Sequence, residues 1–472
     1  MIRILKKGAI LWALFFFALG PILLAQERAQ DRRKSLDPKT PTTDDPRRIP
    51  APPIPRGLEV VIVLSGGRIF DGIGVSVRPG TIVIRQNKIE KILAVGATDW
   101  PKDARVIDVR GKTVMPGLID AHTHIDYAEP DTPVSMGTSE ADAMLRAVER
   151  GRFYLECGIT SIRDVGSLNN VPFRLKEWVS RNRVPAPRIF AAGSFITSTG
   201  GHSAEGLVLG STRVAEGPDQ WRQAVREQFN RGADLIKVGS HFSREEVKAA
   251  CEEAHALGLK VACDAETFYL QWAVEAGVDV IEHPLPRTDE TIQLMARKGT
   301  EAVPTLIPYA IIIDQRGGYF GSTSRRFTFS KEANLEVLRS MKRAGIKMGI
   351  GTDLVTDWFR YLPIPYITEL KYFVQAGYSI PEALVAATKT NSEILDMDDK
   401  LGTLEPGKLA DVIVIDGKPD ENLDDLTKVD IVIRDGYLVV KSGEVVIPHH
   451  IPVVPPQVNN PGTKSGAFNL FR

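Results

Sequence analysis

The side chains in this chain best suited to chemistry are histidines and acids at the ends of apolar runs. One such run closes on Asp120-Ala121-His122-Thr123-His124, just after Pro116-Gly117. Successive side chains of a strand point to opposite faces, so His122 and His124 share a face and both imidazoles can reach one divalent ion. A second run, Asp234-Leu235-Ile236-Lys237-Val238, buries a lysine among aliphatic neighbours. Its ordinary role would be an ion pair with a nearby carboxylate. A desolvated lysine, however, gives up its proton and becomes a nucleophile. A neutral amine that takes up CO2 becomes a carbamate, an anion able to bridge two cations. Two further runs end in Ile281-Glu282-His283 and Gly351-Thr352-Asp353. Taken singly, His283 reads as a satisfied core histidine and Asp353 as a helix cap. Their joint occurrence with His122, His124 and Lys237 points instead to a divalent-metal site, and metal-assisted hydrolysis is the chemistry such a set supports.

The elements that must hold these residues are strands alternating with amphipathic helices. Strands are expected at Val114–His124, Ile159–Val165, Arg188–Phe195, Asp234–Val238, Lys260–Ala265, Val278–His283, Ala302–Ile307 and Lys347–Asp353, with helical stretches such as Trp221–Arg231, Arg244–Leu257 and Glu332–Ala344 between them. That pattern describes an α/β fold, a (β/α)8 TIM barrel, whose functional groups sit at the C-terminal ends of the strands. Before it, Val60–Leu64, Arg68–Phe70, Thr81–Arg85 and Ile89–Val95 are short β-branched runs separated by Gly and Asn turns. The same texture returns at Asp411–Ile415, Ile431–Arg434 and Tyr437–Val440. The two chain ends are therefore expected to pair into one small β-sandwich, residues 57–113 and 401–446, around a barrel of residues 114–400.

The 472 residues carry 59 Lys+Arg against 59 Asp+Glu, so no basic excess exists to hold a nucleic acid. Arg3, Lys6 and Lys7 precede an uncharged stretch from Gly8 to Ala25 that turns polar at Gln26. This is the layout of a secretory signal peptide over residues 1–25. Export to the periplasm or medium is expected, with an N-terminal membrane anchor as the alternative if the segment stays uncleaved. The stretch is slightly short of the about 20 apolar residues of a spanning helix. Residues 26–56, rich in Pro and charge, read as a disordered linker, and residues 447–472 as an irregular tail. The three cysteines, Cys157, Cys251 and Cys263, match no disulfide framework or thiolate metal site and read as buried free thiols.

From Leu58 to Gly443 the chain resembles the metal-dependent amidohydrolase superfamily, in its imidazolonepropionase-like and Xaa-Pro dipeptidase-like branch. Val114-Met-Pro-Gly-Leu-Ile-Asp-Ala-His-Thr-His124 and Leu404-Glu-Pro-Gly-Lys-Leu-Ala-Asp-Val412 carry the resemblance most strongly. Gly158-Ile-Thr-Ser-Ile-Arg-Asp164, Thr199-Gly-Gly-His202 and Ala276-Gly-Val-Asp-Val-Ile-Glu-His283 add to it. The resemblance implies His122 and His124 as ligands of one metal and a carboxylated Lys237 as the bridge. It further implies His283 as ligand of a second metal and Asp353 as ligand and proton shuttle. The family has a histidine at the end of strand five, where this chain has Val261-Ala-Cys-Asp264-Ala-Glu266. The register makes Asp264 the substitute, a harder ligand than imidazole. Alternation turns Cys263 outward, and Glu266 is the next candidate. His202 is a candidate substrate contact, or equally a structural turn histidine. His255 reads as packing within a helix. His241 and Tyr309 lie near strand ends without an assigned role.

The expected activity is hydrolysis of a C–N bond in a small molecule, such as a dipeptide, an N-acyl amino acid or a cyclic amide. It would use two ions of Zn or Mn and a CO2-derived carbamate on Lys237. The competing readings are a mononuclear deaminase or cyclic-amide hydrolase, and a non-catalytic binding protein on the same barrel. The sequence is compatible with a homo-oligomer and leaves the substrate open.

Overall fold

The computed structural model describes residues 60–127, 139–202, 204, 210–317 and 330–448. The signal segment 1–25, the linker 26–56 and residues 449–472 of the tail lie outside the described residues. The chain opens with five strands, β1 (Ile62–Phe70), β2 (Val77–Arg85), β3 (Lys88–Leu93), β4 (Arg105–Asp108) and β5 (Thr113–Pro116). β1 and β2 pair antiparallel with a slip between Leu64 and Gly67, a bulge that bends the strand.

The next strands are parallel. β6 (Leu118–Thr123), β7 (Ile159–Asp164) and β8 (Arg188–Ala191) form one array. β9 (Phe195–Thr197), β10 (Thr212–Val214), β11 (Leu235–Gly239), β12 (Lys260–Asp264), β13 (Val280–Glu282) and β14 (Glu301–Val303) form another, in the order β10-β9-β11-β12-β13-β14. The amide of Asp234, leading into β11, donates to the Ala191 carbonyl and links the arrays. Between the strands, helices bury one face each. In Gly217–Arg231 that face is Trp221, Ala224, Val225 and Gln228. Ser243 and Glu246 form a reciprocal capping box that starts Arg244–Ala256 directly after β11.

Four expected strands differ in the structure. The run 114–124 divides at Gly117, where the chain leaves one sheet for another. The run 188–195 divides into β8 and β9, and the seventh strand ends at Val303 because Leu306 already begins a helix, Leu306–Arg316. The eighth, 347–353, is not a regular strand. It makes isolated bridges, Met348 to Ala302 and Leu354 to Thr123, and so lies between β14 and β6. Glycine is the reason. A Cβ on Gly351 would sit 2.7 Å from the His122 Cβ and 2.5 Å from the Val303 side chain. Only a residue without a side chain lets this segment pass so close to the first histidine.

The chain ends in β15 (Val412–Ile415), β16 (Val429–Arg434), β17 (Tyr437–Lys441) and β18 (Glu444–Val445). β15 pairs antiparallel with β5, placing Ile413 opposite Met115. Strands from both chain ends thus form one nine-stranded sheet, ordered β18-β17-β16-β15-β5-β1-β2-β3 with β4 beside β1. Leu64, Ile82, Val114, Val412 and Ile433 pack together within it. The architecture is a TIM barrel with a small β-sandwich built from both ends of the chain. Cys157, Cys251 and Cys263 are buried and free. No helix among the described residues is long and apolar enough to cross a membrane.

Candidate metal centre

His122 lies in β6 with His124 just past its end, and both are buried. Their Nε2 atoms converge on one carboxylate oxygen, Asp353 Oδ1, at 3.4 and 3.2 Å. His283 approaches the same carboxylate from β13, with Nδ1 3.8 Å from Asp353 Oδ2. Donor atoms of His122, His283 and Asp353 all lie within 4.8 Å of one another, close enough to hold a single ion. The backbone makes this convergence possible. Simple alternation would send Glu282 and His283 to opposite faces, but His283 is left-handed at φ 63°. Asp353 is left-handed too, at φ 49°. Such conformations cost of order 1–3 kcal/mol in a non-glycine residue and persist only where the surroundings enforce them.

Those surroundings are visible. The Asp353 amide donates to the His122 carbonyl at 2.7 Å. Buried Asp120 accepts from the Thr352 amide at 2.9 Å and from the Tyr154 hydroxyl at 3.1 Å, tying β6 to the residue before Asp353. Burial pushes the Asp120 carboxyl up to about 6 despite these bonds. Burial acts on Asp353 in the same direction, but His122, His124 and His283 together outweigh it and hold this carboxyl well below its usual range.

Each imidazole is also fixed from behind. His122 Nδ1 lies 2.7 Å from Glu282 Oε2, and His124 Nδ1 lies 2.8 Å from the Gly166 carbonyl. An ionised carboxylate and a carbonyl only accept, so Nδ1 carries the proton in both rings and Nε2 faces the site. His283 Nδ1 lies 2.8 Å from Thr305 Oγ1. Glu282 is fully buried and bonded at 2.7 Å to the Arg163 guanidinium. Burial opposes its charge, yet Arg163, Lys237 and His122 hold the carboxyl down at about 2. Glu282, Arg163 and Thr305 were not singled out from sequence. The signal for Glu282 was its place beside His283; nothing local marked the other two.

The flank formed by β11 and β12 differs. Lys237 is buried, and its Nζ has no hydrogen-bond partner among the described residues. The nearest ring is Phe195, 5.6 Å from Nζ to centroid. Burial lowers the Lys237 pKa, with Glu282 and Asp264 acting against it. Asp264 Oδ2 lies 3.1 Å from His283 Nε2 and 3.5 Å from His202 Nε2, so the residue standing in for the expected histidine reaches the cluster. Burial, ahead of Asp264 and Asp353, sets the His283 pKa below the usual value. His202 is held by its turn, since a Cβ on Gly201 would meet Thr197 Oγ1 at 2.1 Å and the Ser240 carbonyl at 2.3 Å. Glu266 takes the Ser240 hydroxyl at 2.7 Å and lies 3.8 Å from His241. His255 pairs with Asp279 at 2.8 Å, a packing role. The Tyr309 ring lies 5.6 Å from that of His283.

The donor set fits a divalent ion: three imidazoles with Nδ1 engaged, two carboxylates facing them, and an orphaned buried amine alongside. Comparison with known proteins identifies the family. The sequence pattern of the amidohydrolase family matches residues 113–443. An ochratoxinase from Aspergillus niger is 27% identical, covering 77% of this chain and 82% of the relative. An imidazolonepropionase from Geobacillus sp. (strain WCH70) is 25% identical, over 73% of this chain and 84% of the relative. Among solved structures, a prolidase complexed with N-methylphosphonate-L-proline superposes with a TM-score of 0.73 at 28% identity, covering 81% of this chain and all of that one.

Proposed function

This chain belongs to the amidohydrolase family, and we propose that it hydrolyses an amide or peptide-like C–N bond with the aid of one or two divalent ions. The observation that carries the reading is the orientation of the imidazoles. His122 and His124 have Nδ1 held from behind while Nε2 is turned to a shared carboxylate. His122, His124, Lys237, Asp264, His283 and Asp353 would hold the ions, with Lys237 as its carbamate. An ion there supplies Lewis acidity toward a carbonyl oxygen and lowers the pKa of a water toward ~7. Asp353, ionised and at the meeting point of three imidazoles, accepts a proton from the attacking water and hands it to the departing nitrogen. A neutral Lys237 amine combines with CO2, losing one proton, to give an anion where the structure leaves an amine without a partner.

The substrate is a dipeptide, an N-acyl amino acid or a cyclic amide, consistent with the named activities of the relatives. The compact His122–His283–Asp353 cluster favours a second version with a single ion. Metal content per chain, with turnover on a panel of dipeptides, N-acyl amino acids and cyclic amides before and after chelation, tests both. Chelation is expected to abolish turnover, and Zn²⁺ or Mn²⁺ to restore it. Turnover that survives complete metal removal would overturn the reading, and one ion per active chain would select the mononuclear version.

A further inference from the structure

We infer that Arg163 is a positioning residue for His122, acting through Glu282. The inference rests on the metal reading above only for its consequence in ion binding; the contacts stand by themselves. Arg163 lies in β7, Glu282 ends β13 and His122 belongs to β6, so the three side chains meet in the barrel interior. Arg163 is 1% exposed, Glu282 0% and His122 1%, so all three are removed from bulk solvent.

The guanidinium makes two bonds, and both end on the setting of His122. Its Nη2 donates to Glu282 Oε1 at 2.7 Å, and the other oxygen of that carboxylate, Oε2, takes the His122 Nδ1 proton at 2.7 Å. Its Nε donates to the Ala121 carbonyl, the peptide immediately before His122. One planar, permanently charged group therefore fixes the backbone that carries the imidazole and the carboxylate that orients it. Lysine cannot reproduce a fork that holds two acceptors in fixed relation. With Arg163 in place, Glu282 has one rotamer, His122 one tautomer, and the Nε2 lone pair one direction. Without it, a buried carboxylate is left to find another donor, and the tautomer of His122 is no longer imposed.

The test uses the full chain as Arg163→Met, Arg163→Lys and the double variant Arg163→Met/Glu282→Gln. The double variant leaves no unpaired buried charge and so covers the case in which Arg163→Met does not fold. Two readouts are taken: the nitrogen-15 NMR signature of the His122 ring in metal-free protein, and Co²⁺ affinity by chelator competition. Wild type should show His122 solely in its Nδ1–H form. Arg163→Met and the double variant should show a mixture of tautomers and bind Co²⁺ about 10–100-fold more weakly, with Arg163→Lys recovering part of the loss. A single Nδ1–H form together with wild-type Co²⁺ affinity in the double variant would overturn the assignment. If the wild-type chain binds no divalent ion, the metal reading fails, and the tautomer of His122 still decides the role of Arg163.

Discussion

On the flank built by β6, β7 and β13, the imidazoles of the site and the carboxylate behind His122 have partners within the chain. His122 meets Glu282, Glu282 meets Arg163, and His124 meets the Gly166 carbonyl. On the flank built by β11 and β12, Lys237 Nζ is buried without a hydrogen bond among the described residues, and Asp264 faces two imidazoles at 3.1 and 3.5 Å. An unmade hydrogen bond in the interior costs about 1–3 kcal/mol, so a chain tolerates one where something else will complete it. The first flank is organised by contacts within the chain; under the function proposed above, a ligand would complete the second. Asp353 lies within 4 Å of imidazoles from the ends of both β6 and β13, so the first flank converges on it.

The largest expected effect is at the carboxylate on which the imidazoles of the first flank converge. Asp353→Asn keeps the shape and removes the base, and kcat is expected to fall by about a thousandfold. A fall of less than tenfold would show that proton transfer runs through another residue. Next comes the incomplete flank. Asp264→Ala should lose one ion while the β6 side retains the other, read as metal content per chain. Asp264→His should shift preference from Mn²⁺ toward Zn²⁺, because each carboxylate exchanged for imidazole softens the site. The exchange also removes a negative charge, so the acidic limb of the pH–rate profile should lie lower in Asp264→His than in wild type. Unchanged metal content in Asp264→Ala would promote Glu266 as the ligand.

The smallest expected effect separates the flanks by sign. In metal-free, CO2-free buffer, Lys237→Met replaces an unpartnered amine with an apolar side chain and should raise stability by about 1–3 kcal/mol in denaturant unfolding, although turnover is lost. His122→Leu, which takes from the buried Glu282 carboxylate one of its two partners, should lower it under the same conditions. Destabilisation by both would mean that Lys237 already has a partner.

Much of this was legible in the residues. The paired histidines of Asp120-Ala-His-Thr-His124 announce their shared face through the two-residue period of a strand, which is a local property. The alternation of apolar runs with amphipathic helices announces the barrel, and matching β texture at both ends announces the joint sheet, which the structure bears out at Met115 and Ile413. Asp264 follows from the resemblance, by register with the family's strand-five histidine, and its carboxylate lies 3.1 Å from His283 Nε2.

Other features depend on parts of the chain that local patterns do not connect. A strand period places Glu282 and His283 on opposite faces; the left-handed turn at His283 brings both to one site, and packing around β13 enforces it. Strand eight was expected as a regular strand, but the close approach of Gly351 to His122 leaves it a bridged segment. The partner of His122 lies 160 residues away, and the partner of that partner another 119 back. Which buried charge meets which is decided by how the strands assemble around the barrel interior, where low dielectric makes a partner obligatory. The sequence by itself determined which residue types stand at the strand ends and which way most of them point. Only the tertiary structure decided that Glu282 and Arg163 lock His122, and that Lys237 Nζ has no hydrogen-bond partner among the described residues.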